Sequence, residues 1–323
     1  MRRTILSLAL ILVFSFAGAV LAAPGKVDAL ALVPNDAASV GYIRLADLRS
    51  SPLAMTLLSE TDRMSCDGDA EKFLAEAGLQ PAKDIDVLVL SMTPRAAFGK
   101  EADLLVAAEG RFNVARLAAA LTSRGAVRKN GYFVLPEESE DDGDRPVIAF
   151  PSSSLALVGT ENGVIQGLKN LAAGGTAFLT ASGLGREASR IDARASAWAL
   201  IDVARVTRLS RQPGIDSKQP SAQTVHAALN KVSTVALWAT DGGDSLQLGA
   251  FGLARDEETL QLVEDAVRGA LAAMRLAASE SSPELVPVLR KFLVTRSDDS
   301  VTLTGSIPAG ILRNLAAKKH AGK

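Results

Sequence analysis

The chain has 323 residues, of which 48% are hydrophobic and 22% charged, so it holds ample apolar material for a folded core and is not a disordered chain. Aromatic residues make up 4%, with two histidines and one cysteine, which removes most metal, disulfide and base-stacking chemistry at the outset. A formal charge of −1 leaves no basic footprint for nucleic acid, and the length predicts two domains or one large one.

Residues 1–22 read as an address. Arg2 and Arg3 form a short positive region, Ile5 to Phe16 is an almost unbroken apolar run, and Val20-Leu21-Ala22 places small residues at the −3 and −1 positions ahead of Ala23-Pro24. That layout predicts a cleaved secretory signal rather than a retained anchor. The arginine pair lacks a twin-arginine setting, and there is no cysteine at the cleavage point to carry a lipid. No later segment is long and apolar enough to span a bilayer, so no transmembrane span is expected after cleavage. The mature chain is expected in the periplasm or outside the cell. Cys66 would be its only cysteine, so an internal disulfide is impossible, and its acidic setting raises rather than lowers the thiol pKa.

After the leader, Ser39–Leu45 reads as a strand and Ser51-Pro52 as a helix start, with serine as cap and proline at the first helical position. A second helix runs from Ala70 to Ala77 and stops at Gly78. Ile85–Met92 and Asp103–Glu109 are strands rich in Val, Ile and Leu. Asn113 caps a helix with Val114, Leu117, Ala118 and Leu121 on one stripe, ended by Gly125. Asn130-Gly131 is a two-residue hairpin signal between Val127 and Tyr132. Val147–Phe150 and Leu155–Val158 form another hairpin, followed by a helix from Gly163 to Ala173.

A similar scheme follows. Ala197–Val203 is a strand, Arg211–Ser221 a polar loop with Pro213, Gly214 and Pro220, and a short helix leads to Val232. Val235–Thr240 and Leu246–Leu253 flank the turn Asp241-Gly242-Gly243. Asp256 caps a long helix whose stripe of Leu260, Val263, Val267, Leu271 and Met274 needs a broad apolar surface, most simply one face of an antiparallel sheet. Phe292–Arg296 and Val301–Ile307 form a hairpin around Asp298-Asp299. A last helix, Ala309 to Lys319, ends in lysines that suit its dipole.

The two halves resemble each other. Ile43–Leu48 matches Ile201–Val206 with the charges exchanged: Arg44 and Asp47 in one, Asp202 and Arg205 in the other. Leu104–Gly110 matches Leu246–Gly252, Leu155–Thr160 matches Val301–Ser306, and Leu168–Ala173 matches Leu312–Ala317. The shared order predicts a duplication. The expected fold is α+β: two tandem, related units of mostly antiparallel sheet covered by helices, with pseudo-twofold duplication. Residues 1–22 are the signal peptide, 23–190 the first unit and 191–323 the second, with the boundary inside Gly174–Arg194.

The run Leu32-Val33-Pro34-Asn35-Asp36-Ala37, then Val40–Leu48, Ser50–Leu53, Gly78-Leu79, Asp84–Asp86 and Ala107–Phe112 resembles a loose group of exported bacterial envelope proteins with domains of unknown function. The likeness covers about the first half of the mature chain, and its motifs are structural. It implies an exported, non-enzymatic envelope protein, and no site residues carry over.

Each candidate for chemistry has a plainer reading. Gly183-Leu184-Gly185-Arg186-Glu187-Ala188 fits a relaxed dinucleotide fingerprint, and Asp202 ends the next strand as a ribose-binding acid would. No buried strand precedes Gly183, however, so the context that gives the motif meaning is missing. The acidic run Glu137–Asp144 lacks calcium-loop spacing and reads as a solvated hairpin loop. Asp67-Gly68-Asp69 fails the same test, since Gly78 stands where the distal acid belongs. His226 and His320 are too few for a zinc site, and no Gly-x-Ser-x-Gly elbow accompanies them. Two Trp and two Tyr argue against stacking sites for sugar rings. Arg44 and Asp202 could pair across the two units, but local pairing is the simpler expectation.

The sequence therefore names no catalytic, cofactor-binding or metal-binding residue and no cofactor. It predicts a non-catalytic binding or structural protein of the bacterial envelope. The expected partner is another envelope protein or an apolar small molecule, and nucleic acid is excluded. A carrier of a lipid or other apolar ligand is the alternative, and an exported hydrolase a distant third. An open apolar cavity beneath the Asp256 helix would favour the carrier.

Overall fold

The structure is a computed structural model that describes residues 28–49, 68–95, 101–136, 145–209 and 231–314. The helix start at Ser51-Pro52, the polar loop at 211–221, the short helix before Val232, Cys66, the acidic run 137–144, His226 and His320 lie outside the described residues. The chain divides into two compact units. One comprises residues up to Thr93 together with Asp103–Gly185; the other comprises Pro94–Ala102 and the residues from Arg186 onward.

The first unit opens with β1 (Ser39–Arg44) and α1 (Leu45–Arg49), followed by α2 (Gly68–Ala77). Next come β2 (Ile85–Pro94), β3 (Ala102–Gly110) and α3 (Val114–Ser123). The short strands β4 (Val127–Lys129) and β5 (Tyr132–Val134) precede β6 (Pro146–Ser152), β7 (Leu155–Thr160) and α4 (Glu161–Ala172). Its strands lie in the order β1-β2-β3-β7-β6-β5-β4, and the pairs β1–β2, β3–β7, β7–β6, β6–β5 and β5–β4 are antiparallel.

Local chemistry sets the boundaries. Asn113 accepts from the Arg116 amide (3.1 Å) and so caps α3. Asn130 (φ 46°) and Gly131 (φ 90°) are both left-handed, the pair of conformations that a two-residue hairpin turn needs. β2 and β7 are apolar at nearly every position rather than alternating, which marks strands covered on both faces. Val106, Ala108 and Ala156 join Leu117 and Ala120 of α3 in one core cluster. On the other face, α4 comes close at two glycines: a Cβ on Gly163 would sit 2.3 Å from the Leu104 carbonyl oxygen, and one on Gly167 3.1 Å from Leu105.

The second unit contains β8 (Ala197–Asp202), α5 (Val203–Leu209), β9 (Thr234–Asp241), β10 (Ser245–Leu253), α6 (Glu257–Ser281), β11 (Leu293–Arg296) and β12 (Ser300–Pro308), and the chain is again helical over 309–314. Its strands lie in the order β8-β9-β10-β12-β11, all antiparallel. Asp256 caps α6 by accepting from the Thr259 amide (2.8 Å). Leu260, Val263, Ala266 and Leu271 of α6 pack with Val294 and Val301 of the sheet. The space beneath this helix is therefore filled by side chains. β12 alternates where β7 does not: Val301 and Leu303 face the α6 core, and Thr302 and Thr304 face away from it.

Each unit thus presents the same order of strands, three successive ones and then the last two in reverse, with the β4–β5 hairpin added in the first. The sequence matches fall on like elements but not in one register. Gly159 pairs with Leu105, whereas Gly305 pairs with Leu248, one residue away from the position that the two sequence matches require together. Ala156 and Val158 face the α3 core, while Val301 and Leu303 face the α6 core. The match of Leu155–Thr160 to Val301–Ser306 is therefore displaced by one position, which swaps the faces of a strand.

Candidate functional site

Among the described residues, the positions singled out by sequence have local structural work. Gly183 and Gly185 lie in a four-residue helical turn, Gly183–Arg186. The Ser182 hydroxyl accepts from the Gly185 amide (3.2 Å), and a Cβ on Gly185 would fall 2.0 Å from the Phe178 carbonyl oxygen. The glycine is needed for a close backbone crossing, not for a phosphate. Asp202 accepts from the Arg205 amide (3.0 Å) and so starts α5. Arg44 donates to Asp47 (2.9 Å) and to the Tyr42 hydroxyl (3.3 Å), with both ends of the ion pair over a third exposed. These contacts hold the Arg44 pKa above its ordinary value, Tyr42 contributing most and Asp47 next. Arg44 thus pairs locally with Asp47, while Asp202 serves as a helix cap.

Several arginines act as caps, and sequence reasoning missed them. Arg49, whose side chain is 7% exposed, donates to the Ala82 carbonyl (2.6 Å), the Ile85 carbonyl and Asp86 (2.6 Å). Arg116 donates to the carbonyls of Glu76 (2.7 Å) and Ala75 (3.3 Å) at the C-terminal end of α2. Arg275 donates to the Leu289 carbonyl (3.0 Å). A guanidinium presents several donors in a fixed fork and stays charged, so it can satisfy orphan carbonyls at helix and strand ends. The only sequence signal was the position of Gly78, which ends α2 with φ 64° beside the Arg116 guanidinium.

One candidate site lies in the first unit, at the β4–β5 hairpin. A hollow of about 540 Å³ is lined by Val127, Arg128, Lys129, Leu135, Arg145 and Glu161, among others. Glu161 is the first residue of α4, where the helix dipole favours a negative charge. It accepts from Lys129 Nζ (2.7 Å) and from the Tyr132 hydroxyl (2.5 Å). These two bonds, Lys129 first and Tyr132 second, hold the Glu161 pKa below its ordinary value. The same contacts raise the pKa of Lys129 and that of Tyr132, with the hydrogen bond to Glu161 as the main cause in both. A carboxylate held more acidic than usual is a poor general base near neutral pH. The arrangement ties the hairpin to α4 and leaves a lining with more cations than anions. Among the described residues no group of three or more His, Cys, Asp or Glu is placed to hold a metal ion. No helix among them is long and apolar enough to cross a membrane.

No family model matches the chain, and no curated protein does. Among solved structures, three crystal forms of the Treponema protein TP0453 are similar in fold. Form I shares 11% identity over 90% of this chain and 98% of that one, with a TM-score of 0.46. Form III shares 11% identity over 90% and 99%, at 0.48, and form IV 12% over 90% and 96%, at 0.46.

Proposed function

We propose that this chain is an exported, non-catalytic binding or structural protein of the bacterial cell envelope, located in the periplasm after removal of residues 1–22. The leader, with its positive start, apolar run and small residues before Ala23, supports export. One observation supports the non-catalytic reading above the others: among the described residues, the polar side chains named above are engaged in caps and local ion pairs. Asp202 and Asp256 start helices, Glu161 ties a hairpin to α4, and Arg49, Arg116 and Arg275 satisfy carbonyls. The packed residues under α6 favour a closed core there over a carried apolar ligand. Its partner on this reading is another component of the envelope.

The test is fractionation of a bacterium producing the full chain with a C-terminal tag, followed by N-terminal sequencing. The expected result is a protein in the osmotic-shock fraction that begins at Ala23 and is silent in esterase, glycosidase and peptidase screens. A cytoplasmic protein retaining Met1, or robust turnover in any screen, overturns the proposal.

A further inference from the structure

Both tryptophans of this chain lie in the second unit, on neighbouring strands. Trp198 of β8 stands directly opposite Trp238 of β9, and paired residues share a face. Trp238 pairs in turn with Gly249 of β10, and its ring occupies the space a side chain would take there: a Cβ on Gly249 would fall 2.0 Å from the indole. Gly249 pairs with Thr304, and Thr304 with Leu293, which is 62% exposed. This row crosses five strands, about 19 Å at ordinary strand spacing. It lies on the face turned away from α6, because Val235 of β9 and Val301 and Leu303 of β12 point into the α6 core.

The next row on that face is Thr240, Gln247 and Ser306. Gln247 and Thr304 are exposed and both indoles are half-buried. Thr240 is 5% exposed, and its hydroxyl has no hydrogen-bond partner among the described residues. A buried hydroxyl without a partner is costly and calls for one. Neither row contains a charged side chain.

We propose that this face binds a neutral oligosaccharide, stacked on Trp198 and Trp238 and hydrogen-bonded through Gln247, Thr304 and Ser306, with Thr240 beside them. The proposal rests on the binding reading given above and names its ligand class. Aromatic faces with a few fixed amide and hydroxyl groups suit a ligand that has apolar C–H faces and hydroxyl edges. An acyl chain would leave the amide and hydroxyls unpaired, and an anion would find no cation in either row. The count of two tryptophans argued against sugar stacking; strand register places both in one site.

Because there are only two tryptophans, emission of the intact chain excited at the red edge of tryptophan absorption, where tyrosine does not absorb, reports this face alone. The probes are chitotetraose, cellotetraose and maltotetraose, with palmitate as the apolar comparison. The expected result is a saturable emission change with at least one tetrasaccharide, abolished in Trp198→Ala and weakened about tenfold in the exposed-site variant Gln247→Ala. Gln247→Ala and Thr304→Ala keep the test open if the tryptophan variant does not fold. Absence of a saturable change to millimolar sugar, a response to palmitate alone, or binding unaltered in all three variants overturns the proposal. Each of those outcomes leaves the fractionation result untouched, so the two readings fail separately.

Discussion

Gly185 and Glu161 illustrate how single residues separate structural from chemical roles. Gly185 completes a motif that sequence reads as a weak nucleotide fingerprint, yet its missing side chain makes room for the Phe178 carbonyl. Gly185→Ala is therefore expected to destabilise the fold by about 1–3 kcal/mol, as overpacking does, and thermal unfolding of the purified variant measures it. Glu161 makes a pH argument. Its folded pKa is lowered by Lys129 and Tyr132, so its contribution is present above the ordinary carboxylate range and is lost as pH falls through the lowered folded value. Lys129 is raised, so its part is present below the ordinary lysine range and is lost as pH climbs past the raised value. The pair is partly exposed at 53% and 39%, and screening keeps the effect small. Glu161→Gln is expected to lower Tm by no more than about 2–4 °C near neutrality. That gap should close in acid, as followed by melting curves from pH 3 to 8.

Among the elements, α4 depends on its first turn. Thr160 Oγ1 accepts from the amides of Gly163 (3.2 Å) and Leu104 (3.2 Å) and donates to Asp103 (3.2 Å). One hydroxyl thus caps the helix and fixes it to β3. Thr160→Ala removes a cap and leaves two amides short of a partner, a loss of about 1–2 kcal/mol; a denaturant titration against wild type checks this. At the other end of α4, Asn170 is 7% exposed and donates to the Leu32 carbonyl (2.8 Å). Its sequence counterpart Asn314 is exposed. The matched asparagines differ: among the described residues, only the one in the first unit has a chain segment, at Leu32, packed against it. Helix starts at Asn113 and Asp256 and the turn at Asn130-Gly131 were readable in sequence, since each depends on a side chain and its immediate neighbours. The guanidinium caps of Arg49 and Arg116 were not readable, since the carbonyls they satisfy lie 33 and 40 residues away in the chain.

Over the whole molecule, composition and alternation determined the class: antiparallel α+β units, with strands covered on both faces where apolar residues run on, as in β7, and on one face where they alternate, as in β12. The order of elements in both halves followed from local patterns in the same way. The export signal proposed for residues 1–22 is likewise a matter of sequence alone, because a leader is read as an unfolded segment. Register and convergence were left to tertiary structure. A one-residue slip between β7 and β12 is invisible to a comparison of apolar letters, yet it decides which side chains meet the core. It also takes long-range pairing to bring residues 198, 238, 247 and 304 onto one face, since hydrogen bonds between strands, not neighbours in the chain, set those distances.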